Sequence, residues 1–157
     1  MVLQSNLDQI AKEIEAYKIE VKRKLENVVK HFVVDAIVAS AIQINPLGDA
    51  RKFANFYKRR QLATGLLPIE GFSKGSWQVS FSQSSEPQYN YAPDSGGKAT
   101  ELAKSKIENY ELGQTVFVLN IGPYINVLQS GYNFLGRVPS MAETALKSNL
   151  QYYFDKG

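Results

Sequence analysis

The sequence predicts an α+β fold: a small, mainly antiparallel sheet packed by a long N-terminal helix and a C-terminal helix. Three observations predict it. Apolar residues recur at helical spacing over residues 1–44, two short β-branched and aromatic runs follow at 76–82 and 115–120, and helical spacing returns over 139–154. No repeat and no linker divides the chain, so residues 1–157 read as one domain.

In the first helix Leu3, Leu7, Ile10, Ile14, Tyr17 and Val21 alternate steps of four and three, as in a two-position coiled-coil seam. A step of four to Leu25 interrupts the alternation, which continues through Val28 and Phe32. Ser5 or Asn6 suits the N-cap, and Glu20 and Lys24 stand at the favourable i, i+4 spacing. From Val28 to Ile42 the pattern is apolar nearly all round, which predicts burial on several sides. The first half of the helix is therefore expected to project or lie along a surface, and the second half to enter the core. Asn45-Pro46-Leu47-Gly48 is a stop signal.

Residues 49–63 read as a shorter helix in which Phe53, Phe56 and Tyr57 lie among Arg51, Lys52, Lys58, Arg59 and Arg60. A loop with Gly65, Pro68 and Gly71 leads to a strand at 76–82, where Trp77, Val79 and Phe81 share one face. Residues 83–98 are rich in Ser, Gly and Pro, with Tyr89 and Tyr91 inside, and are expected to form a mobile loop. A helix over 99–110, a turn at 111–114 and the strand at 115–120 come next. Pro123 suits the first turn of a short helix that Gly131 ends. The last helix, 139–154, carries Met141, Ala145, Leu146, Leu150 and either Tyr153 or Phe154 on its apolar face.

Apolar residues make up 44% and charged residues 21% of the chain, a balance that supports a packed core. The absence of cysteine removes disulfides, thiolate nucleophiles and cysteine metal sites. The opening residues lack a signal-peptide pattern, and Phe32–Ile44 alone is too short to span a bilayer, so a soluble chain without a membrane anchor is expected. The net charge of +3 is mild. No Walker loop, zinc spacing or nucleophile elbow occurs. The lone His31 lies in the apolar part of the long helix and reads as a packed or capped core histidine. The expectation is a protein that is not an enzyme and carries no cofactor or metal.

Four segments, in order, resemble the head–tail joining and tail-completion (neck) proteins of tailed bacteriophages. They are Pro68-Ile69-Glu70-Gly71-Phe72-Ser73-Lys74-Gly75-Ser76-Trp77-Gln78-Val79, the polar insertion and short helix over 83–110, Leu112-Gly113 leading through a strand to Asn120, and Asn120-Ile121-Gly122-Pro123-Tyr124-Ile125-Asn126-Val127-Leu128-Gln129-Ser130-Gly131-Tyr132. A terminal helix beginning near Met141 completes the pattern, which covers residues 64–154. The residues that carry it are Gly71, Trp77, Gly113, Asn120, Pro123, Tyr124, Leu128, Gly131 and Met141. The chain departs from the family at Glu70-Gly71, where the family often has Asp-Thr-Gly, and at Gln129, where it often has glutamate.

The resemblance implies a structural virion protein that forms a homo-oligomeric, typically hexameric, ring. Such a ring contacts the head-side connector and the tail proteins and leaves a channel for DNA. Its place would be the virion neck, with assembly in the host cytoplasm; a terminator ring capping the tail tube is the companion reading. Ring closure needs two different contact faces. Candidates are the stripe Leu7, Ile10, Ile14, Tyr17 and Val21 on one side and Tyr89 and Tyr91 on the other. The stripe is equally suited to packing on the chain's own sheet. Trp77 suits either an interface or the core. Lys58, Arg59 and Arg60 suit contact with DNA or an acidic partner, or a solvated face, and a basic nucleic-acid-binding module is the alternative from another class.

Overall fold

No Gly or Pro occurs before Pro46, so nothing in the sequence interrupts a helix there. The computed structural model, which describes residues 2–45, 72–83, 96–122 and 125–157, shows one continuous helical rod from Val2 to Ile44. It comprises α1 (Val2–His31), a π-helical segment π1 (Phe32–Val38) and α2 (Ala39–Ile44). Ser5 and Asn6 lie inside the rod and do not cap it, because the helix starts at Val2. In π1 the backbone bonds reach five residues back, as from the Ala39 N–H to the Val34 carbonyl. The wider turn lets Val33, Val34, Ala36 and Val38 all be buried while Asp35 stays outside. Asn45, extended because Pro46 follows it, ends the rod. It is fully buried and its Nδ2 donates to Ser73 Oγ at 2.9 Å.

After a single turn, α3 (Phe72–Gly75), strand β1 (Trp77–Ser80) pairs antiparallel with β2 (Phe117–Asn120) in the register Trp77↔Asn120 to Ser80↔Phe117. The strands are shorter than the alternating sequence predicts. The Ser82 N–H turns back onto Ser80 Oγ at 3.1 Å, so the ladder ends there and Phe81 packs on the core from outside it. Among the described residues the sheet has two strands, and with the helices around it the α+β expectation holds. Helix α4 (Gly97–Ile107) starts at Gly96, whose φ of 102° is left-handed, and Thr100 N–H and Oγ1 both donate to the Gly96 carbonyl. The expected turn at 111–114 forms, with Gly113 at φ 98°.

The end of the chain differs from the sequence reading in two ways. Helix α5 (Ile125–Tyr132) runs through Gly131. The left-handed break falls at Asn133, φ 49°, and the Gln129 amide bridges the Asn133 side chain and the Leu135 N–H. Helix α6 (Phe134–Lys156) then starts before Pro139 and not at it. Proline is tolerated there because the carbonyl it leaves without an N–H belongs to Leu135, which is 82% exposed and open to water.

The core has two clusters. Val33, Val34 and Val38 meet Val79, Ala103, Ile107 and Tyr110; Ala41 and Ile44 meet Trp77, Ala99 and Phe134. Full burial of a Val, Ile or Phe side chain contributes roughly 1.5–3 kcal/mol, so the second half of the rod anchors the fold. Helix α6 runs back antiparallel to the rod, from Phe134 beside Ala41 to Gly157 against the Lys24 carbonyl. By length and composition alone the helix Asn6–Ile44 is long and apolar enough to cross a membrane, because the unbroken rod extends the Phe32–Ile44 run. In the fold its apolar half faces α6, α4 and the sheet.

Candidate functional site

Two features gather the residues singled out by sequence. The first is the junction where the motif segments meet. Asn120 lies opposite Trp77; its Nδ2 donates to the Ser73 carbonyl at 2.7 Å and its Oδ1 accepts the Gly122 N–H at 2.9 Å. The Ile121 N–H donates to the Ser76 carbonyl at 3.2 Å. A Cβ on Gly122 would meet Asn120 Oδ1 at 3.0 Å, so glycine permits this close approach. Trp77 is 8% exposed and meets Phe134 edge-on at 5.8 Å, which places it in the core. Met141 packs, partly buried, against the core cluster that contains Trp77. Gly113 and Gly131 are exposed and remote in role: one makes a turn and the other a helix interior. Gly71, Pro123 and Tyr124 lie outside the described residues, as does the side chain of Leu128 in α5. So do Tyr89, Tyr91, Lys58, Arg59, Arg60, the helix expected over 49–63 and most of the loop over 83–98.

The second feature is the projecting half of α1. Residues 6–20 are exposed, Gly157 lies beside Lys24, and the stretch of α1 before Lys24 spans roughly 30 Å at 1.5 Å per residue. Leu7 is 64% exposed, Ile10 50%, Ile14 52% and Tyr17 68%. Of the two readings of this stripe, packing on the chain's own sheet is not what the described residues show. Past Tyr17 the stripe runs into a groove of about 220 Å³ lined by Tyr17, Val21, Leu25, Val28 and Phe154, with Glu20 and Lys24 at its rim. The spacing in the last helix allowed either Tyr153 or Phe154 inward; the structure buries Tyr153 and leaves Phe154 on the groove. No signal in the sequence distinguished them, because adjacent aromatic residues fit the period equally.

Local pairs support this projecting helix: Gln9 donates to Glu13 at 2.8 Å, and Lys18–Glu15, Lys24–Glu20 and Lys22–Glu26 pair at 3.3, 3.4 and 3.8 Å. Each contributes about 0.2–0.5 kcal/mol. Covering the exposed halves of Leu7, Ile10, Ile14 and Tyr17 would contribute on the order of 1 kcal/mol per side chain. The arrangement is suited to docking a complementary apolar surface.

Near the base of this region His31 is half-exposed and not a core residue. Its Nδ1 lies 3.2 Å from Asp35 Oδ2, and its ring abuts Tyr152 and Tyr153 at 6.4 and 6.2 Å. One helical turn separates His31 and Asp35, which holds the ring outward. Burial raises the Tyr153 phenol above its usual 10.0, with the Asp35 charge and Tyr152 adding to the shift.

Comparison with protein-family models, curated proteins and solved structures found no match.

Proposed function

We propose that the chain is a structural subunit of a tailed-bacteriophage virion, a neck protein that forms a ring between head-side connector and tail and leaves a channel for DNA. The observation that carries this reading is the ordered set of motif segments over 64–154. Two of these segments meet at the sheet, where Trp77 pairs with Asn120 and the Ile121 N–H donates to the Ser76 carbonyl, while the Asn120 side chain ties the junction to the Ser73 carbonyl. The uncovered stripe of α1 supports it, since a ring subunit must keep apolar surface for its neighbours. The role is mechanical: it needs stable faces and an open axis, and no bond is made or broken.

The test is a reconstruction of the neck in the virion of the phage that encodes the chain, with mass spectrometry of the purified particles. The expected result is several copies arranged as a ring between connector and tail. Particles that lack the chain overturn the reading. Light scattering of the purified chain with and without DNA separates the alternative module: a monomer that binds DNA tightly favours that module over the ring.

A further inference from the structure

A ring subunit must meet other copies of itself, and the contact inferred between copies rests on the neck-protein reading. The stripe on α1 has two chemically different edges. In coiled-coil terms Leu7, Ile14 and Val21 occupy one seam position and Ile10 and Tyr17 the other. Glu13 and Glu20 directly precede Ile14 and Val21 and line one edge; Lys18 directly follows Tyr17 and lies on the other. Parallel helices set the first edge of one against the second edge of its neighbour, five residues further on, which brings Glu13 to Lys18. Antiparallel helices, with Leu7 opposite Tyr17, would set like edges together and crowd Glu13 against Glu13 of the second copy.

A second observation fixes the extent of the contact. The regular four–three alternation runs from Leu7 to Val21 and breaks at the step to Leu25. That break coincides with the point where α6 begins to cover α1, at Phe154 and Gly157 against the Leu25 and Lys24 region. Leu7, Ile10, Ile14 and Tyr17 of the regular seam are exposed, and its last member, Val21, borders the groove beside Phe154 of α6.

We infer that α1 packs in parallel and in register on α1 of a second copy of this chain, through the Leu7–Val21 seam, with Glu13 of one copy paired to Lys18 of the next. Glu13 now accepts from Gln9 and Lys18 pairs with Glu15, both on exposed surface, and such local pairs exchange readily for the contact between copies. Because the two edges differ, the same edge-to-edge contact repeats from copy to copy around an axis, the kind of contact from which a ring is built where the rotation closes.

The natural absence of cysteine makes cross-linking a clean probe. In the full chain, Leu7→Cys places two thiols side by side only in the parallel pairing; the antiparallel seam separates them by about 15 Å, ten residues at the helical rise. The expected result is an interchain disulfide in Leu7→Cys under mild oxidation. Glu13→Lys or Lys18→Glu should lower its yield and the association measured by sedimentation roughly three- to fivefold, and the double exchange should restore both. Cross-linking of Leu7→Cys only with a Tyr17→Cys chain identifies antiparallel pairing and overturns the inference. A ring that forms without any Leu7→Cys cross-link overturns it while leaving the neck reading intact. Virions that lack the chain overturn the neck reading whatever the cross-link shows.

Discussion

Replacing Gly96 by alanine tests how tightly the long rod is locked to the rest of the fold. Gly96 opens α4 at φ 102°, and an added Cβ there would collide with the Ile42 side chain, with Ile42 Cγ2 nearest and Cδ1 at 3.1 Å. The substitution carries two costs. An L side chain in the left-handed region costs roughly 1–2 kcal/mol, and forcing extra volume into a filled site costs about 1–3 kcal/mol. Ile42 cannot simply turn away, because it packs against both core clusters. Gly113 supplies the control: its φ is 98°, yet a Cβ there meets nothing within 4 Å. Gly113→Ala therefore carries only the backbone cost. At ~2–4 °C per kcal/mol for a domain of this size, Gly113→Ala should lower Tm by about 2–8 °C and Gly96→Ala by about 4–20 °C. Thermal unfolding followed by circular dichroism measures both. Equal shifts in the two variants would refute the claimed contact between Gly96 and Ile42.

Single contacts elsewhere lead to further expectations. Asn120→Ala strands the Ser73 carbonyl and the Gly122 N–H and should cost about 1–3 kcal/mol in urea unfolding; an unchanged midpoint would show that the Asn120 bonds do not hold the motif junction. Asn133→Gly should be tolerated while Asn133→Ala costs about 1–2 kcal/mol, since only alanine suffers at that left-handed φ; equal stability of the two would remove the reason given for the break between α5 and α6. The raised Tyr153 phenol is stable in its protonated form, so its contribution is intact below pH 10.0 and is lost as pH rises through the higher folded value. Tyr153→Phe should flatten that alkaline fall in stability, and an identical pH profile would refute it. Neutralising Lys58, Arg59 and Arg60 should weaken any salt-sensitive DNA binding by the chain, and a wild-type chain that shows none at low salt would exclude a DNA-facing role for them.

The sequence by itself determined what depends on neighbours along the chain. The rod from Val2 to Ile44 follows from the lack of Gly and Pro and from the apolar period, and its stop follows from Asn45-Pro46. The strands at Trp77 and Phe117 were legible from their β-branched and aromatic runs, though not their length, because Ser80 ends the ladder through its own hydroxyl. Spacing marked the stripe Leu7, Ile10, Ile14 and Tyr17 as one face, but periodicity reports that a face is apolar and not what covers it. Tertiary structure decided that. Helix α6 ends beside Lys24, buries Tyr153 and turns Phe154 toward the groove; its direction is set by the left-handed Asn133, a break the sequence signals placed at Gly131. Contacts of Tyr153 with His31 and of Gly157 with the Lys24 carbonyl, between residues more than a hundred apart in sequence, cover the second half of the rod, while residues 6–20 stay exposed.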